Sequence, residues 1–401
     1  MLPFLTVAAV AVLVTAAASF VVLRISRRFG LAPEVRARDV HTRPTPRLGG
    51  VAMFIGVLAA FGTAALVREF DPLFSRGGEI LALLGACALI AVVGVLDDLL
   101  DLDWMIKLAA QLAAAGLLAW NGVQIVSLPF GDTLIIPSPA MNFALTVFLM
   151  TLVMNAVNFV DGLDGLVAGV AIIANSIFFI YTRLLEAQSG RFDSISFASL
   201  IAIVVVGVCV GFLPFNWHRA RMFMGDSGAL LVGLMMATST VSVTGQLTPA
   251  ALDSKLVIAS YIPILLPVAV LILPLADFAL AVFRRLKAGK SPFAADRLHL
   301  HHRLLDMGHS PVQAVCIFYL GTAVLSVALL LVFTLQSFVL PVIVLVVGGT
   351  ICALVLFFPA RRIRAARAQG RLVALTRRGA PAELVRGGAN AAGDPDERIP
   401  E

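Results

Sequence analysis

Residues 79–107 read EILALLGACALIAVVGVLDDLLDLDWMIK. The run 79–96 is apolar almost throughout and long enough to cross a bilayer as a helix. Asp97, Asp98, Asp101 and Asp103 follow within seven residues, and a second apolar run begins at once. Acids crowded against an apolar boundary are costly without cations. A span that ends in acids and turns directly into another span points to a polytopic membrane protein with chemistry at its helix ends.

The rest of the 401-residue chain repeats this pattern. Apolar runs fall at about 4–23, 48–67, 79–96, 104–120, 140–157, 164–182, 196–214, 225–244, 256–283, 312–333 and 337–358, which gives 11 candidate spans. Hydrophobic residues make up 60% of the chain, mean hydropathy is +0.97, and charged residues are 13%, about half the roughly 25% of a soluble domain. These values exclude an ordinary soluble enzyme and a disordered chain. Long continuous runs, rather than short alternating segments, exclude an outer-membrane barrel. The expected fold is therefore all-α and polytopic.

The first run is too long for the apolar core of a signal peptide and lacks a basic leader, so it reads as a retained span. Pro263, Pro267 and Pro274 lie in the ninth span and should kink or break it. Val123–Pro137 reads as two short strands around Gly131-Asp132, a small external β-hairpin. Residues 1–360 form the expected membrane domain, and 361–401 a basic cytoplasmic tail. Cys87, Cys209, Cys316 and Cys352 each stand alone in apolar runs, so neither a disulfide framework nor a zinc site is expected.

Alternating 11 spans across the membrane puts 25 of the 30 Lys and Arg residues on one face. The positive-inside rule makes that face cytoplasmic, with the N-terminus outside and the C-terminus inside. Surplus positive charge there favours anionic lipid and phosphate partners. Nearly every group able to do chemistry lies on the same face, in five segments.

HTRPTPRLGG (41–50) is a proline-stiffened loop whose Arg43 and Arg47 could hold phosphate oxygens. Its plainer reading is a positive anchor. The acid run after span three offers hard oxygen ligands to magnesium, with Asp97 and Asp101 on one face if the helix continues. Alternatively it is a solvated turn. Lys107, at the entrance to span four, either contacts phosphate or snorkels.

In NAVNFVDGLDG (155–165), Asn158, Asp161 and Asp164 recur every third residue. They form one polar edge on a helical turn or an oxygen cluster on a Gly-broken loop; interhelical hydrogen bonding is the structural alternative. NWHRARMFMGDSG (216–228) places Asp226 and Ser227 between glycines where a span begins. A helix N-terminus there could receive an anion, and Asp226 a cation. Phe223 could stack on a base or pack in the core. PFAADRLHLHHR (292–303) gathers His299, His301, His302 and Arg303. Without cysteines or a second ligand pair, phosphate binding suits it better than zinc.

The stretches HTRPTPRLGG, GVLDDLLDLDWMIKLAAQ, NAVNFVDGLDGL, FNWHRARMFMGDSGALLVG and SPFAADRLHLHHRLLDMGHS occur in the order found in a known family. Over roughly 39–313 the chain resembles the polyprenyl-phosphate N-acetylhexosamine-1-phosphate transferases. PRLGG and HLHH look like the branch that transfers GlcNAc-1-phosphate. The branch that transfers phospho-MurNAc-pentapeptide in peptidoglycan synthesis usually has PTMGG and a three-histidine run, and ranks second.

The resemblance implies a UDP-N-acetylhexosamine donor, an undecaprenyl- or decaprenyl-phosphate acceptor, and magnesium, for which manganese could substitute. It implies that Asp226 is the metal ligand with Asn158 assisting. Asp97 and Asp98 would serve the acceptor phosphate, with Asp97 a candidate base. Lys107, His301, His302 and Arg303 would contact the diphosphate, with His299, Arg43 and Arg47 beside the substrate. Asn216, Phe223 and Asp164 would surround the uracil, and Asp161 would line the site. Membrane lipids and a homodimer complete the expected partners; nucleic acid is not among them. The enzyme would lie in the bacterial inner membrane.

A lipid-linked transporter or flippase is the competing class. It needs polar residues through the membrane thickness and functional groups on both faces, and neither pattern is present. A structural scaffold leaves the acids against basic loops unexplained.

Overall fold

A computed structural model describes residues 1–32, 44–75, 78–126, 128–130, 133–189, 193–244, 309–335 and 337–356, with a few isolated positions between 265 and 304. The ninth apolar run, Arg43, His299, His301, His302, Arg303 and the tail from 361 lie outside the described residues.

The helices are α1 (Leu2–Phe29), α2 (Gly49–Ala64), α3 (Asp71–Ser75), α4 (Gly78–Leu100), α5 (Trp104–Trp120), α6 (Pro139–Val160), α7 (Leu166–Ser189), α8 (Asp193–Asn216), α9 (Gly225–Thr244), α10 (Pro311–Leu335) and α11 (Val339–Leu356). Between α5 and α6, β1 (Leu128–Phe130) and β2 (Thr133–Ile135) pair antiparallel, with Pro129 opposite Leu134.

Eight of these helices are long and apolar enough to cross a membrane. The expected count of 11 is not reached among the described residues. The second run is interrupted: α2 ends at Ala64, and the chain bends by 94° into Arg68–Ser75. Arg68, Glu69 and Asp71 put charge where an unbroken span would need apolar residues. The fourth run makes a helix of 17 residues, at the lower limit for a crossing.

Burial ranks the helices. Nearly all of α9 is enclosed, whereas little of α11 is. The central α9 packs against α2, α4, α6 and α8, while α1 lies along α2 and α8, and α10 along α7. Between helices in lipid there is little hydrophobic driving force, so close van der Waals contact through small residues holds such bundles together. Here a Cβ on Gly207 would collide with Ala11 Cβ and the Ala8 carbonyl, so α8 and α1 touch backbone to backbone. Likewise, a Cβ on Gly50 would strike the Gly228 backbone and Ser227 Oγ, and one on Gly94 would strike the Ser227 backbone.

The crossing of α2, α4 and α9 is therefore set by Gly50, Gly94 and the small Ser227. Gly50→Ala should force these helices apart and cost about 1–3 kcal/mol, the usual penalty of overpacking. Thermal unfolding of the purified protein in detergent measures it, and an unchanged melting temperature would contradict the packing described. All four cysteines are free thiols, with Cys87 and Cys209 buried.

Candidate active site

The ends of α4, α6 and α8 meet the beginnings of α2, α5, α7 and α9 at one end of the bundle. The chemistry-bearing segments sit there because alternate helices run in opposite directions. Backbone pairing ties the 44–48 loop to the segment before α9. Phe223 N donates to Pro46 O at 2.8 Å, Gly49 N to Phe223 O at 3.0 Å, and Gly50 N to Met224 O at 3.0 Å.

The acid run after α4 divides its labour. The helix ends at Leu100, and Asp101 takes a left-handed φ of 55° while its N–H closes a turn on Asp97 O at 2.9 Å. Asp101 therefore leaves the helical face of Asp97, contrary to the expectation for a continuing helix. Asp103 caps α5, accepting from Met105 N at 2.8 Å. Both are exposed. Asp97 and Asp98 turn inward. Neighbours on a helix are rotated by about 100°, and these two side chains meet different partners.

Asp97 Oδ1 accepts from Leu102 N at 2.9 Å, and its Oδ2 accepts from Lys107 Nζ at 3.0 Å. The same Nζ donates to Asp226 Oδ2 at 3.1 Å. Asp97 and Asn158 also lie beside the Asp226 carboxylate. The Asp226 side chain is 31% exposed against 8% for Asp97, so Asp226 is the more open of the two to a ligand. Asp98 instead faces the start of α9. Its Oδ1 accepts from Asp226 N at 3.2 Å, and its Oδ2 accepts from Ser227 N at 3.4 Å and Ser227 Oγ at 3.1 Å. The anion expected at this helix N-terminus is thus a carboxylate of the chain itself.

The 158–165 segment adopts the Gly-broken form of its two readings. Asn158 lies in the last turn of α6, Asp161 caps it, and Gly165 at φ 76° leads into α7. Half-buried Asp161 feels the negative charges of Asp226, Asp98 and Asp164, opposed by Arg47. Burial first, and these acids second, push its carboxyl up to about 7.

An unfolded aspartate titrates near about 3.9, so between the two values the folded chain holds a proton that the unfolded chain has released. This contribution to stability is full at low pH and lost as pH rises through about 7. In metal-free protein, Asp161→Asn should barely change the melting temperature near pH 4 and raise it progressively up to and above pH 7, about the window set by linkage. Melting curves across pH test this; a loss of stability at high pH would contradict it.

Asp164 and Asn216 are braces. Asp164 Oδ2 accepts from Ala220 N at 3.1 Å and bonds His218 Nδ1 at 3.0 Å. Buried Asn216 accepts from Gly165 N at 2.9 Å and donates to Met222 O at 3.1 Å. Both clasp the 161–165 turn to the 217–222 loop, leaving little of Asn216 to face a base. Phe223 is half-buried beside Arg47's loop. Sequence reading did not assign a role to His218 or Ser227, although both lie in quoted motifs; their partners, more than 50 residues away, carry no local signal.

Among the described residues, no three His, Cys, Asp or Glu side chains form a ready-made metal cage. Magnesium does not require one, since it commonly binds one or two carboxylates and takes its remaining ligands from water and substrate phosphates. Asp226 and the Asn158 amide are hard oxygen donors of that kind. Lys107 bridges Asp97 and Asp226, and the charges of Asp98 and Asp161 lie close to Asp226, so the donor set fits such a cation.

Residues 80–244, from α4 through α9, match the family model described as glycosyl transferase family 4. Decaprenyl-phosphate N-acetylglucosaminephosphotransferase of Mycobacterium leprae is 40% identical over 321 residues, which cover 79% of this chain and 80% of that protein. The chain belongs to the polyprenyl-phosphate N-acetylhexosamine-1-phosphate transferases of glycosyl transferase family 4. A probable undecaprenyl-phosphate N-acetylglucosaminyl 1-phosphate transferase of Bacillus subtilis is 32% identical over 77% of this chain and 79% of its own length. Undecaprenyl-phosphate alpha-N-acetylglucosaminyl 1-phosphate transferase of Escherichia coli K12 is 28% identical over 77% and 78%. This family 4 member is therefore a multi-pass membrane enzyme of sugar-phosphate transfer. The helices that match the family model are those that bring Asp97, Lys107, Asn158 and Asp226 together.

Proposed function

We propose that the chain transfers GlcNAc-1-phosphate from UDP-GlcNAc to a polyprenyl phosphate, releasing UMP and forming the first lipid-linked intermediate of a cell-envelope polysaccharide. The observation that carries this reading is the Asp97–Lys107–Asp226 bridge with Asn158 at one end of a membrane bundle. That arrangement offers oxygen ligands and a cation to phosphates at a single interface, as an enzyme joining a lipid headgroup to a soluble donor requires.

A phosphate oxygen of the acceptor attacks the β-phosphorus of the donor. A new P–O bond forms, the bond to the bridging oxygen breaks, and UMP leaves with that oxygen. Magnesium, held by Asp226 and Asn158, would offset charge on the diphosphate and on departing UMP. Lys107 binds diphosphate oxygens from the same side. Asp97 is the candidate acceptor of a proton, but a phosphate monoester has a second pKa of about 6, so little base catalysis is needed. His299, His301, His302, Arg303 and Arg43 supply further phosphate contacts, while Asp164 and Asn216 hold the loop on which the uracil rests.

The basic face is cytoplasmic, with the N-terminus and the β1–β2 ribbon outside, the C-terminus inside, and the site open to cytoplasmic nucleotide at the bacterial inner membrane. Full alternation requires 11 crossings and so asks α2, α5 and the ninth apolar run, the last outside the described residues, each to cross. The names of the three relatives all specify N-acetylglucosamine, which supports UDP-GlcNAc over UDP-MurNAc-pentapeptide as donor. Turnover of the two donors side by side on the purified protein tests the choice. Preference for the pentapeptide donor would place the chain in the other branch. A C-terminal reporter active only outside the cell would overturn the orientation.

A further inference from the structure

Two adjacent acids on α4 do different work. Asp97 reaches Lys107, while Asp98 directs both oxygens at another helix, to Asp226 N, Ser227 N and Ser227 Oγ. A carboxylate has about four lone-pair sites, and three of them are engaged within α9. The residue before α9 is Met224, whose side chain cannot cap a helix as Ser, Thr, Asp or Asn does. Asp98 supplies the missing cap from a different helix, and its negative charge complements the positive end of the α9 dipole.

The surroundings are shaped for this contact. Gly225 has φ 72°, and a Cβ there would collide with Asp98 Oδ2 and the Arg47 carbonyl. Ser227 is fully buried in the notch left by Gly50 and Gly94. One of the three bonds to Asp98 comes from the backbone N–H of Asp226, whose side chain faces Lys107, and the other two come from the next residue, Ser227.

We infer that Asp98, with Ser227 as its second clasp, is a positioning residue that fixes the first turn of α9 and thereby the direction of the Asp226 carboxylate, and does not itself touch the acceptor phosphate. This rests on the assignment of Asp226 as a metal ligand. Partners that orient a metal ligand typically contribute about 10–100-fold to metal affinity or activity.

The test uses purified full-length protein in detergent, with Mn2+ binding followed by electron paramagnetic resonance in the absence of substrates, alongside kcat and acceptor KM. Ser227→Ala deletes one clasp, leaves the Asp98 charge in place and removes only an oxygen from a packed site. It should weaken Mn2+ binding by a few-fold, and Asp98→Ala by about 10–100-fold. Both should lower kcat with acceptor KM within about twofold of wild type, and Asp98→Asn, which keeps one acceptor oxygen, should fall between wild type and Asp98→Ala. Amide hydrogen exchange at Asp226 and Ser227 should quicken in the same order. A rise in acceptor KM of about tenfold or more in Asp98→Asn, with Mn2+ binding and amide exchange unchanged, would overturn the inference and put Asp98 on the substrate. Wild-type protein that binds no Mn2+ would remove the metal assignment itself, a different failure from wild-type binding that the Ser227 and Asp98 variants leave untouched.

Discussion

Asp226→Asn should leave the protein folded and reduce turnover by about a thousandfold or more. The amide keeps the shape of the carboxylate, and the Asp226 N–H can still bond to Asp98, so α9 remains docked. What is lost is an anionic oxygen at the more exposed acid of the site. A hard divalent cation loses most of its attraction to the protein with it. Asp101→Asn and Asp103→Asn should be mild by comparison, because both side chains are exposed, Asp101 meets the turn through its backbone and Asp103 caps α5 outside the cluster. Turnover against magnesium concentration, at equal amounts of folded protein, separates the variants. Asp226→Asn behaving as wild type at limiting magnesium would make this acid structural.

Lys107→Met should lower turnover by about 10²–10³-fold, as loss of a positioned phosphate-stabilising group does, and should also change stability. The ammonium bridges Asp97 and Asp226 at 3.0 and 3.1 Å. Without it two carboxylates face each other with Asp98 and Asp161 close by, and the metal-free protein should melt at a lower temperature. Added magnesium should then stabilise Lys107→Met more than wild type, since the cation replaces a charge the variant lacks. Lys107→Arg should recover stability better than turnover, because the planar guanidinium keeps the charge but not the geometry of a compact ammonium. Melting curves with and without magnesium provide the check. A variant as stable as wild type without metal would show that the bridge carries no weight.

The membrane class was legible because a span is written as a continuous run of apolar residues. The break in the second run was less so, since Arg68, Glu69 and Asp71 sit at the edge of a window that still averages apolar. The end of the bundle that carries chemistry was equally legible, because acids cannot sit in lipid unpaired and are therefore confined to helix ends. The pairings between segments were not. Asp98 and Ser227 are 129 residues apart, and adjacent acids of the same type receive opposite roles from a helical rotation that composition does not record. The resemblance implies a place around the uracil for Asn216 and Asp164. What the sequence did not disclose is that their oxygens also satisfy the backbone of two irregular loops, where N–H groups excluded from water need partners.

Magnesium, UDP-GlcNAc labelled at the β-phosphorus, and a polyprenyl phosphate, incubated with the purified chain, test the central claim most directly. Transfer of GlcNAc-1-phosphate moves the label into the lipid phase as a diphosphate-linked sugar, in step with unlabelled UMP. Transfer of the sugar alone, leaving the label in water as UDP, would contradict the account, as would label that never reaches the lipid.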